Sequence, residues 1–133
     1  MYFTSKYFNG TMLFEAKDIV LSDLGIVQYK RGLATALSKQ NVKNIILNFK
    51  RVKINNSEGL GTLLLAKRYS QGKGGECTLV FPQPKVVSCM KKAGIYKLFK
   101  IINNENEYQM ILKKLKKVNK KEKPLNGGTL NTK

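Results

Sequence analysis

Residues 44–71 read NIILNFKRVKINNSEGLGTLLLAKRYSQ: an apolar run, then a hexapeptide of small residues around one acid, then an amphipathic run. Ile45, Ile46, Leu47 and Phe49 predict a buried strand. Leu60, Leu63 and Leu64, with Lys67 and Arg68 on the other side, predict a helix. Between them lies Asn56-Ser57-Glu58-Gly59-Leu60-Gly61. A helix that follows a strand at once presents its first backbone N–H groups, unpaired and partly positive, at the carboxyl edge of a sheet. Such a place suits a regulatory anion or a docking partner.

Outward from that stretch, strand and helix patterns alternate. Met1 to Phe8 and Thr11 to Ala16 flank Asn9-Gly10, the strongest short hairpin signal, so the chain opens with an antiparallel pair. Ser22-Asp23 can cap a helix whose apolar face takes Leu24, Val27, Leu33, Ala34 and Leu37, ending near Gln40-Asn41, although Gly25 and Gly32 weaken it. Asn44 to Phe49 is the central strand, followed by a helix from about Ser57 to Gln71 that Gly72, Gly74 and Gly75 stop. Cys77 to Phe81 supplies another strand. Pro82 and Pro84 make a turn, and Val86, Val87, Met90 and Ala93 mark a short helix that Gly94 closes. Ile95 to Ile102 leads into a last strand, and a final helix from near Asn104 carries Tyr108, Ile111, Leu112, Leu115 and Val118 at spacings of three and four. Alternation of this kind implies parallel strands joined by helical crossovers, hence an α/β domain with a small mixed sheet flanked by helices: an initial antiparallel hairpin, then parallel βαβ units.

The 133 residues suit one domain of common size, here residues 1–118, with a basic, disordered tail over 119–133. At 42% hydrophobic residues the chain can bury a core, and its apolar runs are far shorter than a membrane span. With no signal-peptide pattern at its start, a cytoplasmic protein is expected. Cys77 and Cys89 have no CxxC spacing, and there is no histidine to complete a zinc set, so the expectation is two reduced thiols and neither metal nor cofactor.

The order of elements, with Asn-Ser-Glu-Gly-Leu-Gly after the central strand and Lys73-Gly74-Gly75-Glu76-Cys77-Thr78-Leu79-Val80 leading into the next, resembles the STAS domain of bacterial anti-sigma factor antagonists. Ala93-Gly94-Ile95 and Leu98-Phe99 are similar to that family's segment ending in Thr-Gly-Leu and Leu-Phe, and the resemblance covers roughly residues 10–112. It implies a non-catalytic regulatory domain. Such a domain binds an anti-sigma factor, or a related ATP-binding regulatory kinase, through residues 55–61 and the following helix. Other members of the broad family regulate transporters or sit in signalling assemblies, and that alternative stays open.

In the family the hexapeptide is typically Asp-Ser-Ser-Gly-Leu-Gly, and the serine before the first glycine is phosphorylated by the anti-sigma kinase. Here that position is Glu58, while Asn56 stands for the acid, Ser57 for the first serine, and Gly59, Leu60 and Gly61 agree with the pattern. A phosphoserine carries about −1.5 to −2 charges and a carboxylate −1, so Glu58 would be a partial, permanent stand-in. Ser57 offers an acceptor in the alternate position. Simpler roles stand beside these: an acid in a first turn favours the helix dipole by about 0.3–1 kcal/mol, Asn56 or Ser57 can cap, and Gly59 and Gly61 can let the helix start approach the sheet.

Catalysis has little to stand on. No Ser-His or Cys-His pair can form, no two carboxylates are spaced for a cleft, and Gly72-Lys73-Gly74-Gly75 ends a helix where a phosphate loop should precede one. The rival class is nucleic-acid binding. Of the net +17, residues 113–133 carry +7 (eight lysines and Glu122), leaving +10 for residues 1–112. Lys50-Arg51, Lys67-Arg68 and Lys91-Lys92 are basic pairs, but no Trp is present and the twelve Phe and Tyr mostly read as core. The lysine-rich end could meet nucleic acid or an anionic membrane surface, or be a solvated extension. Removing residues 119–133 is expected to leave cooperative unfolding intact and to weaken retention on a polyanion column; a truncated chain that no longer unfolds cooperatively would mean that the tail packs.

Overall fold

The structure, a computed structural model, describes residues 3–122, with side chains as far as 115. Met1 and Tyr2 of the expected first strand, the side chain of Val118, and residues 123–133 of the expected tail lie outside the described residues.

Strand β1 (Phe3–Phe8) pairs antiparallel with β2 (Thr11–Ala16), Phe8 opposite Thr11 and Phe3 opposite Ala16. The two-residue turn has both φ angles positive, Asn9 at 51° and Gly10 at 87°, the geometry that Asn-Gly is chosen for. β2 runs parallel to β4 (Asn44–Asn48), β4 to β6 (Cys77–Val80) and β6 to β7 (Lys100–Ile102), giving the order β1-β2-β4-β6-β7. The mixed sheet expected from the sequence is present, and its central pair, β4 and β6, is parallel.

Period-two alternation divides the strands between two cores. Met12, Phe14, Ile45, Leu47, Cys77 and Leu79 point to one face, where they meet α1 (Asp23–Ser38), α2 (Leu60–Gly72) and α3 (Pro84–Lys92). Leu13, Ile46, Val80 and Ile102 point to the other, covered by Tyr108, Ile111, Leu112 and Leu115 of α4 (Glu105–Glu122). Both faces of β4 are therefore dry, which is why its sequence is an unbroken apolar triplet. α4 runs through residues 119–122, past the boundary expected for the tail.

The first core centres on Tyr29, which has no exposed surface and stands edge-on to Phe3, Phe14 and Phe49 at centroid distances of 5.4–5.8 Å. Its hydroxyl finds no hydrogen-bond partner, and burial raises its pKa, with a smaller push from Cys77. Burial also lifts the Cys77 thiol to about 12, against a smaller pull from Lys67, so this thiol is inert near neutral pH; Cys89 is half-buried and free.

Several expectations need correction. The buried side of α1 is Tyr29, Leu33 and Ala36 with Ile26 and Leu37 partly covered, whereas Leu24, Val27 and Ala34 of the expected apolar face are exposed. The rotation of α1 is set by Gly25, whose Cα lies against the Val20 carbonyl with no room for a side chain. That contact turns the helix so that Leu24 and Val27 face outward, 66% and 48% exposed. The helix ends at Ser38 rather than near Gln40, and only Lys100–Ile102 of the stretch after Gly94 is strand, following a 3-10 turn at Tyr96–Leu98. A second ladder, β3 (Ile19–Leu21) parallel to β5 (Val52–Ile54), was not expected at all.

Replacing Tyr29 by Phe removes an unpartnered buried hydroxyl while keeping the ring contacts. Tyr29→Phe is expected to leave stability unchanged or raise it by about 0.5–1 kcal/mol in a denaturant titration; a loss above about 1 kcal/mol would mean that the hydroxyl does have a partner.

Candidate functional site

The hexapeptide does not follow the central strand directly. After Asn48 the chain turns, the Asn48 side chain accepting the Lys50 N–H at 3.0 Å, and climbs through β5 before reaching Asn55. Val52 and Ile54 point into the core and Lys53 outward, so β5 is an arm laid on β3 that carries the loop away from the main sheet. The start of α1 is tied to the same place: the Asn55 side-chain amide reaches the Ser22 hydroxyl at 3.5 Å. Ser22 sits at the N-cap position of α1 in extended conformation but makes no side-chain cap bond to that helix.

Asn56 is extended, and its Oδ1 accepts the Glu58 N–H at 2.9 Å. This bond starts a 3-10 turn over Ser57–Gly59 that runs on into α2 at Leu60. The helical conformation thus begins at Ser57, as expected, but its first turn is tight and α2 proper starts three residues later. Asn56 is the cap. Ser57 and Glu58 are both exposed at this entrance, and Glu58 is the acid of its first turn. Thr62, fully buried, donates its hydroxyl to the Gly59 carbonyl at 2.7 Å and so holds the junction between the two helical turns.

The two glycines differ. A Cβ on Gly59 would lie 2.8 Å from both the Cβ and the carbonyl oxygen of Leu21 and 3.0 Å from Ile54, so this position is closed to any side chain by the β3–β5 ladder. A Cβ on Gly61 would meet nothing nearer than Lys30 Nζ at 3.9 Å. Packing therefore accounts for Gly59 and leaves Gly61 unexplained. Leu60, together with Leu63 and Ala66, is buried, so Leu60 anchors α2 instead of lining a surface; Leu64 is half-buried and Leu65 is 42% exposed.

The six residues thus separate into two sets. Asn56, Ser57, Glu58 and the open side of Gly61 are presented outward, and Gly59 and Leu60 hold them in place. Leu21, Ser22 and Lys30, which support or border the loop, were missed by the sequence reading; a three-residue strand gives too few alternations to register. Among the described residues no three His, Cys, Asp or Glu side chains come together as metal ligands, and no helix is long and apolar enough to cross a membrane. What the arrangement offers chemically is an exposed carboxylate at a helix entrance, its backbone held by the Asn56 cap, with open space at Gly61 one turn on.

Comparison with known proteins places this geometry. Residues 7–108 match the STAS domain family. An anti-sigma F factor antagonist of Paenibacillus polymyxa is 29% identical over 70 residues, 53% of this chain and 60% of that protein, so the match spans less than two thirds of that relative. Among solved structures, the unphosphorylated anti-sigma factor antagonist SpoIIAA superposes with a TM-score of 0.63 at 21% identity, over 84% of this chain and 96% of that one. The murine anion transporter Slc26a9 superposes at 0.61 and 10% identity, over 79% of this chain but 18% of the transporter. Likenesses this remote in sequence show the fold alone. With the family matched from β1 into α4, the chain belongs to the STAS domain family.

Proposed function

We propose that this protein is a cytoplasmic anti-sigma factor antagonist that works by docking. Residues 55–61 and the first turn of α2 engage an anti-sigma factor of the ATP-binding kinase type, and the docking frees a sigma factor. The observation that carries this reading is Glu58: an exposed carboxylate at the entrance to α2, at the position where the family's hexapeptide has its phosphorylated serine. In this reading the partner is adapted to a fixed negative charge, because an antagonist locked permanently in its released state would have no use. A basic residue on the partner pairs with Glu58 and sets specificity, as charge complementarity does at interfaces generally. Regulation by phosphate at this position is then lost, and Ser57, exposed one residue earlier, is the remaining acceptor.

The test is titration of an anti-sigma kinase co-purified from the source cell. Glu58→Ser is expected to weaken binding by about 1–2 kcal/mol, roughly five- to thirtyfold, through loss of one interfacial charge pair. Stronger binding by Glu58→Ser would mean that the carboxylate mimics the phosphorylated state, and equal affinities would leave Glu58 with no role beyond its own helix. Recovery of a transporter or a multi-protein signalling assembly instead of a kinase would favour the family's other mode of action.

Gly61 gives an independent check. Nothing in the fold requires it, and Ala is favoured over Gly in a helix by up to about 1 kcal/mol. Gly61→Ala should therefore raise the midpoint of thermal unfolding while lowering affinity for the same partner severalfold, since the added methyl group stands on the docking patch. If stability rises and affinity is untouched, the patch lies outside the interface.

A further inference from the structure

We propose that the outer face of α3 and the turn after it form a peripheral docking surface for anionic phospholipid membranes, separate from the hexapeptide. From Pro82 to Asn104 the chain has five lysines and no acid. On α3, Val86 and Met90 are buried against the sheet, which turns Lys85, Ser88, Lys91 and Lys92 outward. The next turn folds back beside them: Lys91 Nζ lies 4.9 Å from the centre of the Tyr96 ring. Lys97 and Leu98 follow Tyr96 in this turn, and both are exposed, Leu98 by 48%. At the other end of α3 the Gln83 side chain donates to the Lys50 carbonyl at 2.9 Å, but the Lys50 ammonium lies over Phe81 in a hollow shared with Glu15 and Glu105 and is no part of this face.

The chemistry of this face selects among polyanions. Lysines are compact, flexible point charges that meet phosphates of lipid and of nucleic acid alike, so the choice between them falls to the neighbouring rings and apolar side chains. Single-stranded nucleic acid wants open aromatic rings, but Tyr96 lies under Lys91, Phe81 under Lys50, and Phe99 is buried. A membrane surface instead rewards a cluster of lysines joined to an apolar side chain that can enter the acyl boundary, since charge or insertion alone holds weakly. Leu98, exposed and next to Lys97 in the turn that Tyr96 ties to α3, is that side chain.

Co-sedimentation of the full chain with phosphatidylcholine vesicles, with and without phosphatidylserine, tests this. Binding is expected only to the anionic vesicles, falling with added salt. The triple variant Lys85→Glu, Lys91→Glu, Lys92→Glu should lose at least about tenfold in partitioning. The milder Lys85→Gln, Lys91→Gln, Lys92→Gln should lose in the same direction and serves as the readout if charge reversal disturbs folding. Leu98→Ser should weaken vesicle binding severalfold and leave retention of a short RNA unchanged. Glu58→Ser should leave vesicle binding unaltered, which separates this surface from the docking loop. Vesicle binding indifferent to the lysine variants would assign it to residues beyond this face and overturn the proposal. An unaffected Leu98→Ser, with RNA and vesicles lost together in the lysine variants, would overturn it in favour of nucleic acid, and a wild-type chain that ignores anionic vesicles would end it.

Discussion

Everything about the presented loop depends on one close contact, the seating of Gly59 on Leu21 and Ile54. The main sheet ends at Asn48, so nothing in it could hold Asn56 to Glu58 at a fixed place. The short parallel ladder of β3 and β5 does so by raising two buried side chains, Leu21 and Ile54, into a shelf on which the backbone of Gly59 rests. From there the Thr62 hydroxyl and the buried Leu60 and Leu63 commit the chain to α2. The same ladder orients α1, because Val20 of β3 is the neighbour that excludes a side chain at Gly25. One small platform thus aligns the entrances of two helices, and the Asn55–Ser22 bond joins them across the surface.

Much of this was legible in the sequence, for identifiable reasons. The β1–β2 hairpin could be read because Asn9-Gly10 specifies a turn with positive φ, and β4 because a strand dry on both faces leaves an unbroken apolar run. The closing of α3 before Gly94, with φ at 73°, was equally visible. The ladder was not: three residues per strand give a single alternation, and Lys53 between Val52 and Ile54 looks like loop. The face of α1 was misread because the helix carries apolar residues on two sides. Leu33 and Leu37 of the expected face do turn inward, but rejecting Leu24, Val27 and Ala34 in favour of Tyr29 and Ala36 requires the Gly25–Val20 contact, which is tertiary. At the hexapeptide the residue types located the cap and the acid, but could not tell that Gly59 answers to packing and Gly61 does not.

The chain carries 25 Lys and Arg against 8 Asp and Glu, so its long-range field draws acidic partners in any orientation. A carboxylate presented at a helix entrance on a chain of this net charge can order the final approach without governing the encounter. A partner surface that is acidic overall but basic at one point would be steered by the first property and registered by the second.

The terminal strands of the sheet carry a further consequence. β1 has an exposed lysine, Lys6, near its middle, and β7 has three residues and begins with Lys100. A second copy adding to β1 in antiparallel register would bring the two Lys6 ammonium groups close together, and β7 is too short to template a strand. Both edges are thus disfavoured as templates, so copies of this domain brought close together are discouraged from fusing their sheets into a continuous ribbon.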